Sequence, residues 1–296
     1  MSEAVVRYGY CPVMLVGVNG LAGCLVVTGA PGWWLFLLLG LAIAISFGAE
    51  RRVPYVKDWN LPQGDGLRDT LHALVNETAN FGTLLLLPFL ISVLAIEGVW
   101  PRDWHFLLQV LFAILVLDVG VTLVHYASHR VEFLWRFHAV HHSVKRMYGF
   151  NGLMKHPVHQ AIEMLAGTAP LVLMGIPPSV ALVLVFAVAV QLLLQHSNVD
   201  YRVGLLRYVL AINEVHRFHH QKEPALGDVN FGLFTTLVDH LLRTFHYEAR
   251  GERFSSEELG IGAEPQYPVE YAQQLLEPFR RRTGGEGRQD AELAPG

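Results

Sequence analysis

The sequence predicts an all-α, polytopic membrane bundle with a histidine-rich cap on one side. Three observations lead there. Of 296 residues, 52% are hydrophobic and only 16% are charged, an apolar balance for a soluble chain. The apolar residues gather into five stretches, roughly 12–29, 33–48, 80–99, 105–124 and 163–195. The histidines gather near the ends of those stretches instead of scattering. A net charge of −4 and the lack of a basic cluster argue against nucleic acid as a partner. The two cysteines, Cys11 and Cys24, support neither a disulfide framework nor a zinc ribbon.

A helix needs ~20 apolar residues to cross a ~30 Å hydrocarbon core, so the first four stretches each read as one full span. The first holds Asn19 and three glycines inside its ends, Gly17, Gly20 and Gly23, but reads as a retained helix, not a signal peptide. Glu3 and Arg7 lie in its first ten residues, and Pro31 follows the one plausible small-residue cleavage point. The fifth stretch is too long for one crossing and is broken at Gly175-Ile176-Pro177-Pro178, where proline cannot continue a helix. It reads as a hairpin whose first arm, about 163–174, is short for a crossing. Residues 61–79 read as a separate amphipathic helix, with His72 an ordinary surface or interfacial residue. After a polar stretch at 248–264, a short helix is expected within 269–282. Residues 1–281 form one domain, and the Gly-, Glu- and Arg-rich 282–296 read as a disordered tail.

Topology follows from parity. If the N-terminus is cytoplasmic, residues 30–32, 100–104 and the Pro177 turn face outward, with Trp33, Trp34, Trp100 and Trp104 at span ends. Arg102 is the one basic residue in those turns. The rest of the 22 Lys and Arg fall on the inner side, in accord with the positive-inside rule. The same parity puts every histidine group at the cytoplasmic boundary. A multi-pass protein of a bacterial inner membrane, both termini inside, is the expected location.

The histidines form a pattern. His125 and His129 stand four apart, His138, His141 and His142 follow, and His216, His219 and His220 repeat the His-x-x-His-His spacing about eighty residues later. His196 closes the fifth stretch. Positions i, i+3 and i+4 share a helix face, so each group is expected to converge on one spot. A lone histidine in such a chain is ordinary packing, but nine grouped imidazoles exceed the four ligands of a structural zinc. They point to a two-metal site built from histidine. There is no HExxH peptidase motif and no C-x-x-C-H haem attachment. The glutamate-rich ligation of soluble di-iron bundles is also absent, since Glu132 and Glu163 are the only carboxylates from Val119 to Val199. Imidazole suits zinc, copper, iron and nickel alike. A redox-silent zinc-histidine protein, hydrolase-like or metal-handling, and a two-haem electron carrier remain as alternatives on the residues alone.

Residues 118–245 resemble the fatty acid hydroxylase / sterol desaturase superfamily of membrane di-iron oxygenases. The resemblance is carried by Asp118 seven residues before His125, the block HYASHRVEFLWRFHAVHHS, the Lys155-His156-Pro157 step, HSNV at His196, EVHRFHH, DVNFG and VDHLLRTF. It implies two iron ions, O₂ as co-substrate, and attack on an unactivated C–H bond of a membrane lipid by hydroxylation or desaturation. It also implies nine ligands: His125, His129, His138, His141, His142, His196, His216, His219 and His220. Asp118, His156, His159, Asp200 and Asn230 are candidates for further ligation or for supporting a ligand. Fatty acid 2-hydroxylases have His-x-x-x-His where this chain has His196 and Asp200. Asp200 is then either a further ligand, direct or through water, or a helix-end carboxylate. His156 and His159 are expected to support the site more than to bind metal. Asp118 is expected either to orient a ligand histidine or to pair with Arg130 or Arg136. Phe231 stands where tyrosine is common in the family, and His240 and Arg243 also depart from it near Asp239. These leave the cage intact and the substrate open.

No electron-transfer module is visible in the sequence. Two cysteines cannot hold a four-cysteine iron–sulfur cluster, and no GxGxxG follows a strand. The electrons are expected from a separate ferredoxin- or cytochrome b5-type donor docking on the cytoplasmic face, with the lipid arriving sideways from the bilayer.

Overall fold

The computed structural model describes residues 2–280, so the tail expected at 282–296 lies outside the described residues. Among these the chain is all-helical, with three isolated β-bridges and no sheet. Five helices are long and apolar enough to cross a membrane: α1 (Glu3–Val27), α2 (Trp33–Arg52), α3 (Gly66–Leu94), α4 (Phe106–Ser128) and α7 (Pro178–His196). Between the last two lie α5 (Glu132–His142) and α6 (Pro157–Met174). Beyond α7 come α8 (Asn213–His219), α9 (Leu237–Leu242) and α10 (Tyr271–Leu276).

The hairpin forms where proline demands it. Gly175 adopts φ +77°, a left-handed conformation that glycine adopts without steric cost, and α7 begins at Pro178. Its first arm is longer than expected: α6 starts at Pro157, capped by His156, whose Nδ1 accepts the Val158 N–H at 3.1 Å. The expected amphipathic helix at 61–79 and third span are likewise one helix, α3, because nothing between 79 and 80 breaks it. α1 begins nine residues earlier than its apolar stretch and passes through a π-helical segment, Val13–Val18.

α7 is the axis of the bundle, buried along most of its length against α1, α2 and α4. α4 and α6 approach so closely at Gly120 and Gly167 that a Cβ on Gly120 would lie 2.4 Å from the Ala166 carbonyl oxygen. Large apolar side chains such as Leu74, Leu85, Phe89 and Val93 of α3 stay on the outside, as a bilayer solvent permits.

The two ends of the bundle differ. At one end the Ile96 N–H donates to Leu173 O at 2.8 Å and Arg102 donates to Gly175 O, so the loop after α3 meets the hairpin turn. At the other end Arg7 of α1 pairs with Asp200 beyond α7, and the histidine-bearing segments cover the helices. Buried polar bonds fasten this cap. Arg146 binds both oxygens of Asp65 at 2.7 Å, and Glu50 accepts the N–H groups of Gly149 and Asn198 at 2.9 and 3.1 Å.

Candidate metal centre

All nine histidines of the sequence pattern are buried, none more than 7% exposed. They divide without remainder into two neighbouring groups. One is His125, His129, His138, His142 and His219; the other is His141, His196, His216 and His220. In each group one nitrogen per ring lies within 4.8 Å of all the others.

This corrects the expectation that each His-x-x-His-His motif converges on one spot. Successive residues of a helix point about 100° apart, so the rings of an adjacent pair diverge. In α5, His138 and His142 face the larger group while His141 faces the smaller. At α8 the sharing reverses: His216 and His220 join the smaller group and His219 the larger. α4 contributes His125 and His129 to the larger group, and the end of α7 contributes His196 to the smaller.

The inner nitrogens are spaced as ligands of a common ion. In the larger group His142 Nε2 lies 3.0 Å from His138 Nε2 and 3.1 Å from His129 Nε2. In the smaller group His196 Nε2 is 3.1 Å from His216, 3.3 Å from His220 and 3.3 Å from His141. Two nitrogens ~2.1 Å from one ion stand about 3.0 Å apart at a right angle and about 3.4 Å apart at the tetrahedral angle. His125 Nε2 and His219 Nε2 are buried with no hydrogen-bond partner. Converging, partly orphaned nitrogens inside an all-imidazole shell fit a metal ion in each group.

The outer nitrogens are held by oxygen acceptors, which fix tautomer and ring orientation. His125 Nδ1 meets Phe231 O at 2.8 Å, His219 Nδ1 meets Val229 O at 2.8 Å, and His141 Nδ1 meets Met154 O at 3.1 Å. His129 Nδ1 meets the Asp228 carboxylate at 2.9 Å. Burial, aided by the neighbouring imidazoles, pushes the pKa values of His138, His141, His142, His216, His219 and His220 well below the ordinary histidine range. The rings are therefore neutral and able to ligate.

The other candidate residues have different tasks. Asp118 neither touches a histidine nor pairs with Arg130 or Arg136. Its carboxylate accepts the N–H groups of Leu233, Phe234 and Thr235 and the Thr235 hydroxyl, and so shapes the loop that presents Phe231 O to His125. Asp200 lies outside both groups and pairs with Arg7, Arg202 and Arg253. Asn230, at φ +54°, ties Val215 O to His246 through its side chain. His156 caps α6 and reaches Leu275 O. His159 lies against His138, ring centroids 4.4 Å apart, with Nε2 on Ser128 Oγ.

His72 also corrects the sequence reading. It is fully buried, bonded to Lys155 O at 3.0 Å and to Gln274 Oε1 at 2.9 Å, and so clasps α10 onto α3. Sequence reasoning passed over Asp228, although it opens the DVNFG run, and over the buried Lys155–Glu163 pair.

Fold and site together define a multi-span membrane protein with a paired, all-histidine centre. Residues 110–244 match the family described as Fatty acid hydroxylase. The chain is 32% identical over 260 residues to "Ornithine lipid hydroxylase OlsE" of Rhizobium tropici, covering 84% of this chain and 76% of that protein. It is 31% identical over 159 residues to the alkylglycerol monooxygenase of Danio rerio, covering 52% of this chain and 33% of that one. For the alkylglycerol monooxygenase of Caenorhabditis elegans the identity is 26% over 225 residues, covering 73% and 41%. No protein of solved structure matches. The chain belongs to the fatty acid hydroxylase family and is an integral membrane protein.

Proposed function

We propose that this protein is an O₂-dependent hydroxylase of a membrane lipid, with two iron ions held by its nine grouped histidines. The observation that carries the reading is the division of those histidines into adjacent groups of five and four with converging inner nitrogens. The relatives' names, a lipid hydroxylase and monooxygenases, favour hydroxylation over desaturation. Two irons bound there supply the redox chemistry that activates O₂ against an unactivated C–H bond.

The chain's own residues prepare the place. Neutral imidazoles leave the metals cationic, while Phe231 O, Val229 O, Met154 O and Asp228 orient His125, His219, His141 and His129. Near-complete burial of the rings keeps bulk water from the reacting centre. The lipid arrives sideways from the bilayer, and electrons come from a separate ferredoxin- or cytochrome b5-type protein on the cytoplasmic face. Residues 1–281 act as one domain in a bacterial inner membrane, both termini inside.

Metal analysis of anaerobically purified protein tests this. Two irons per chain without a Soret band are expected, and alanine at any of the nine histidines lowers that content. His105→Ala, at a helix cap far from the groups, leaves it near wild type. Stoichiometric zinc in protein that turns over overturns the reading. Lipid analysis of a deletion strain then identifies the substrate as the species that accumulates unhydroxylated.

A further inference from the structure

Four of the nine histidines rest their outer nitrogen on an oxygen acceptor, while the Nδ1 atoms of His138, His196, His216 and His220 are buried without a partner, and of these His138 belongs to the five-histidine group. Its Nε2 faces the five-histidine group, 3.0 Å from His142 Nε2. Against its ring, centroids 4.4 Å apart, lies His159, and beside that Glu163; His159 Nδ1 and Glu163 Oε1 are also buried without partners and lie 3.7 Å from each other. His138, His159 and Glu163 each bring one polar atom to within 4.8 Å of the other two. None of the three residues is more than 2% exposed. A buried polar atom left unpaired costs on the order of 1–3 kcal/mol, so three of them on neighbouring residues call for a shared partner.

That partner is not a third cation. Glu163 already gives Oε2 to the Lys155 ammonium, which would repel one. His159 gives Nε2 to Ser128 Oγ at 2.9 Å. What is left between them is one carboxylate oxygen and one imidazole nitrogen, beside a ligand histidine that lacks an acceptor.

We propose that Glu163 is the positioning residue of His138. Its Oε1, directly or through one water shared with His159 Nδ1, takes the hydrogen bond from His138 Nδ1 and fixes the tautomer that turns Nε2 to the metal. Lys155 has a defined part, occupying the second oxygen so that the carboxylate cannot swing away or become a ligand. This gives Lys155 of the Lys155-His156-Pro157 step, and one of the two carboxylates between Val119 and Val199, a common purpose. The inference rests on reading the five-histidine group as a metal site.

The test titrates Co(II) into metal-free, full-length protein in detergent, following the visible spectrum, alongside iron content after anaerobic purification. Replacing both partners of a buried ion pair by apolar residues of similar volume is often neutral for folding, so Lys155→Met with Glu163→Leu is the main variant. It should elute and melt as wild type does, bind one of two Co(II) about 10–100-fold more weakly, and show shifted ligand-field bands. Glu163→Gln, whose neutral amide oxygen is a weaker acceptor than the carboxylate, should lose less affinity than the double variant but still bind more weakly than wild type, with shifted bands. Wild-type affinity and spectrum in the double variant overturn the proposal. If that variant does not fold, unchanged affinity and spectrum in Glu163→Gln overturn it. A wild type that takes up neither metal overturns the parent reading as well, which separates the two failures.

Discussion

Asp118 accepts the backbone N–H of Phe234 at 2.7 Å, across 116 residues of sequence, and this bond joins the middle of α4 to the loop that orients His125. The same carboxylate holds Leu233, Thr235 and the Thr235 hydroxyl. Hydrogen bonds to a charged group contribute about 1.5–3 kcal/mol each. Asp118→Ala should therefore melt well below wild type and lose metal first from the group containing His125. An Asp118→Ala protein with normal melting and full metal content would remove this residue from the site's support.

His196 and Asp200 stand four apart and separate cleanly in their effects. His196→Ala opens the four-histidine group and should lower metal content to about one ion per chain or less. Asp200→Asn weakens the links to Arg7, Arg202 and Arg253 and should lower thermal stability while both metals stay. Equal metal loss in the two variants would make Asp200 a ligand.

The contact between α4 and α6 leaves no room for a methyl group. Gly120→Ala puts a Cβ where the Ala166 carbonyl stands, and overpacking of this kind costs about 1–3 kcal/mol. His125 and His129 ride on α4, so metal content should fall together with the melting temperature in detergent. Gly40→Ala meets nothing within 4 Å and is the matched control. Identical behaviour of the two variants would count against the close packing.

Acid should undo the metal-free protein. Its cap histidines, His138 and His142 among them, are lowered in the fold by burial, while in the unfolded chain they titrate near about 6.5. Their contribution is whole above that unfolded value and is lost as pH falls toward the lowered folded values, because only the unfolded chain takes up protons there. Melting temperature of apo-protein should drop steadily from pH 7 to pH 5, and less so in a variant with fewer cage histidines. A flat profile would mean the rings are not held neutral.

Sidedness is testable by fusion. Reporters after His142 and at Gly296 should be cytoplasmic, and one at Pro101 exported. Export after His142 would place the cap away from cytoplasmic reductants.

The spans, the hairpin break at Pro177 and the identity of the nine grouped histidines were legible because apolar length, proline and residue spacing are local properties of the chain. The division of each histidine doublet between two groups was not, since it depends on how α4, α5, α7 and α8 are placed around it. Asp118 shows the same limit: the sequence offers it a ligand histidine or Arg130 or Arg136 as partner, whereas its partners lie in residues 233–235. His72 looked like a surface residue because its acceptor Gln274 is 202 positions away.

The divided doublets make the cage a register-locked device. A one-residue insertion in α5 turns all that follows by about 100°, so it would misdirect His141 and His142 at once and damage both groups through a single helix. Substitutions can be absorbed one ring at a time, but slippage cannot. Natural variants of this chain should accordingly carry their length changes in the connecting loops, while the one-residue step between His141 and His142, and between His219 and His220, sets the spacing of the two centres as a ruler would.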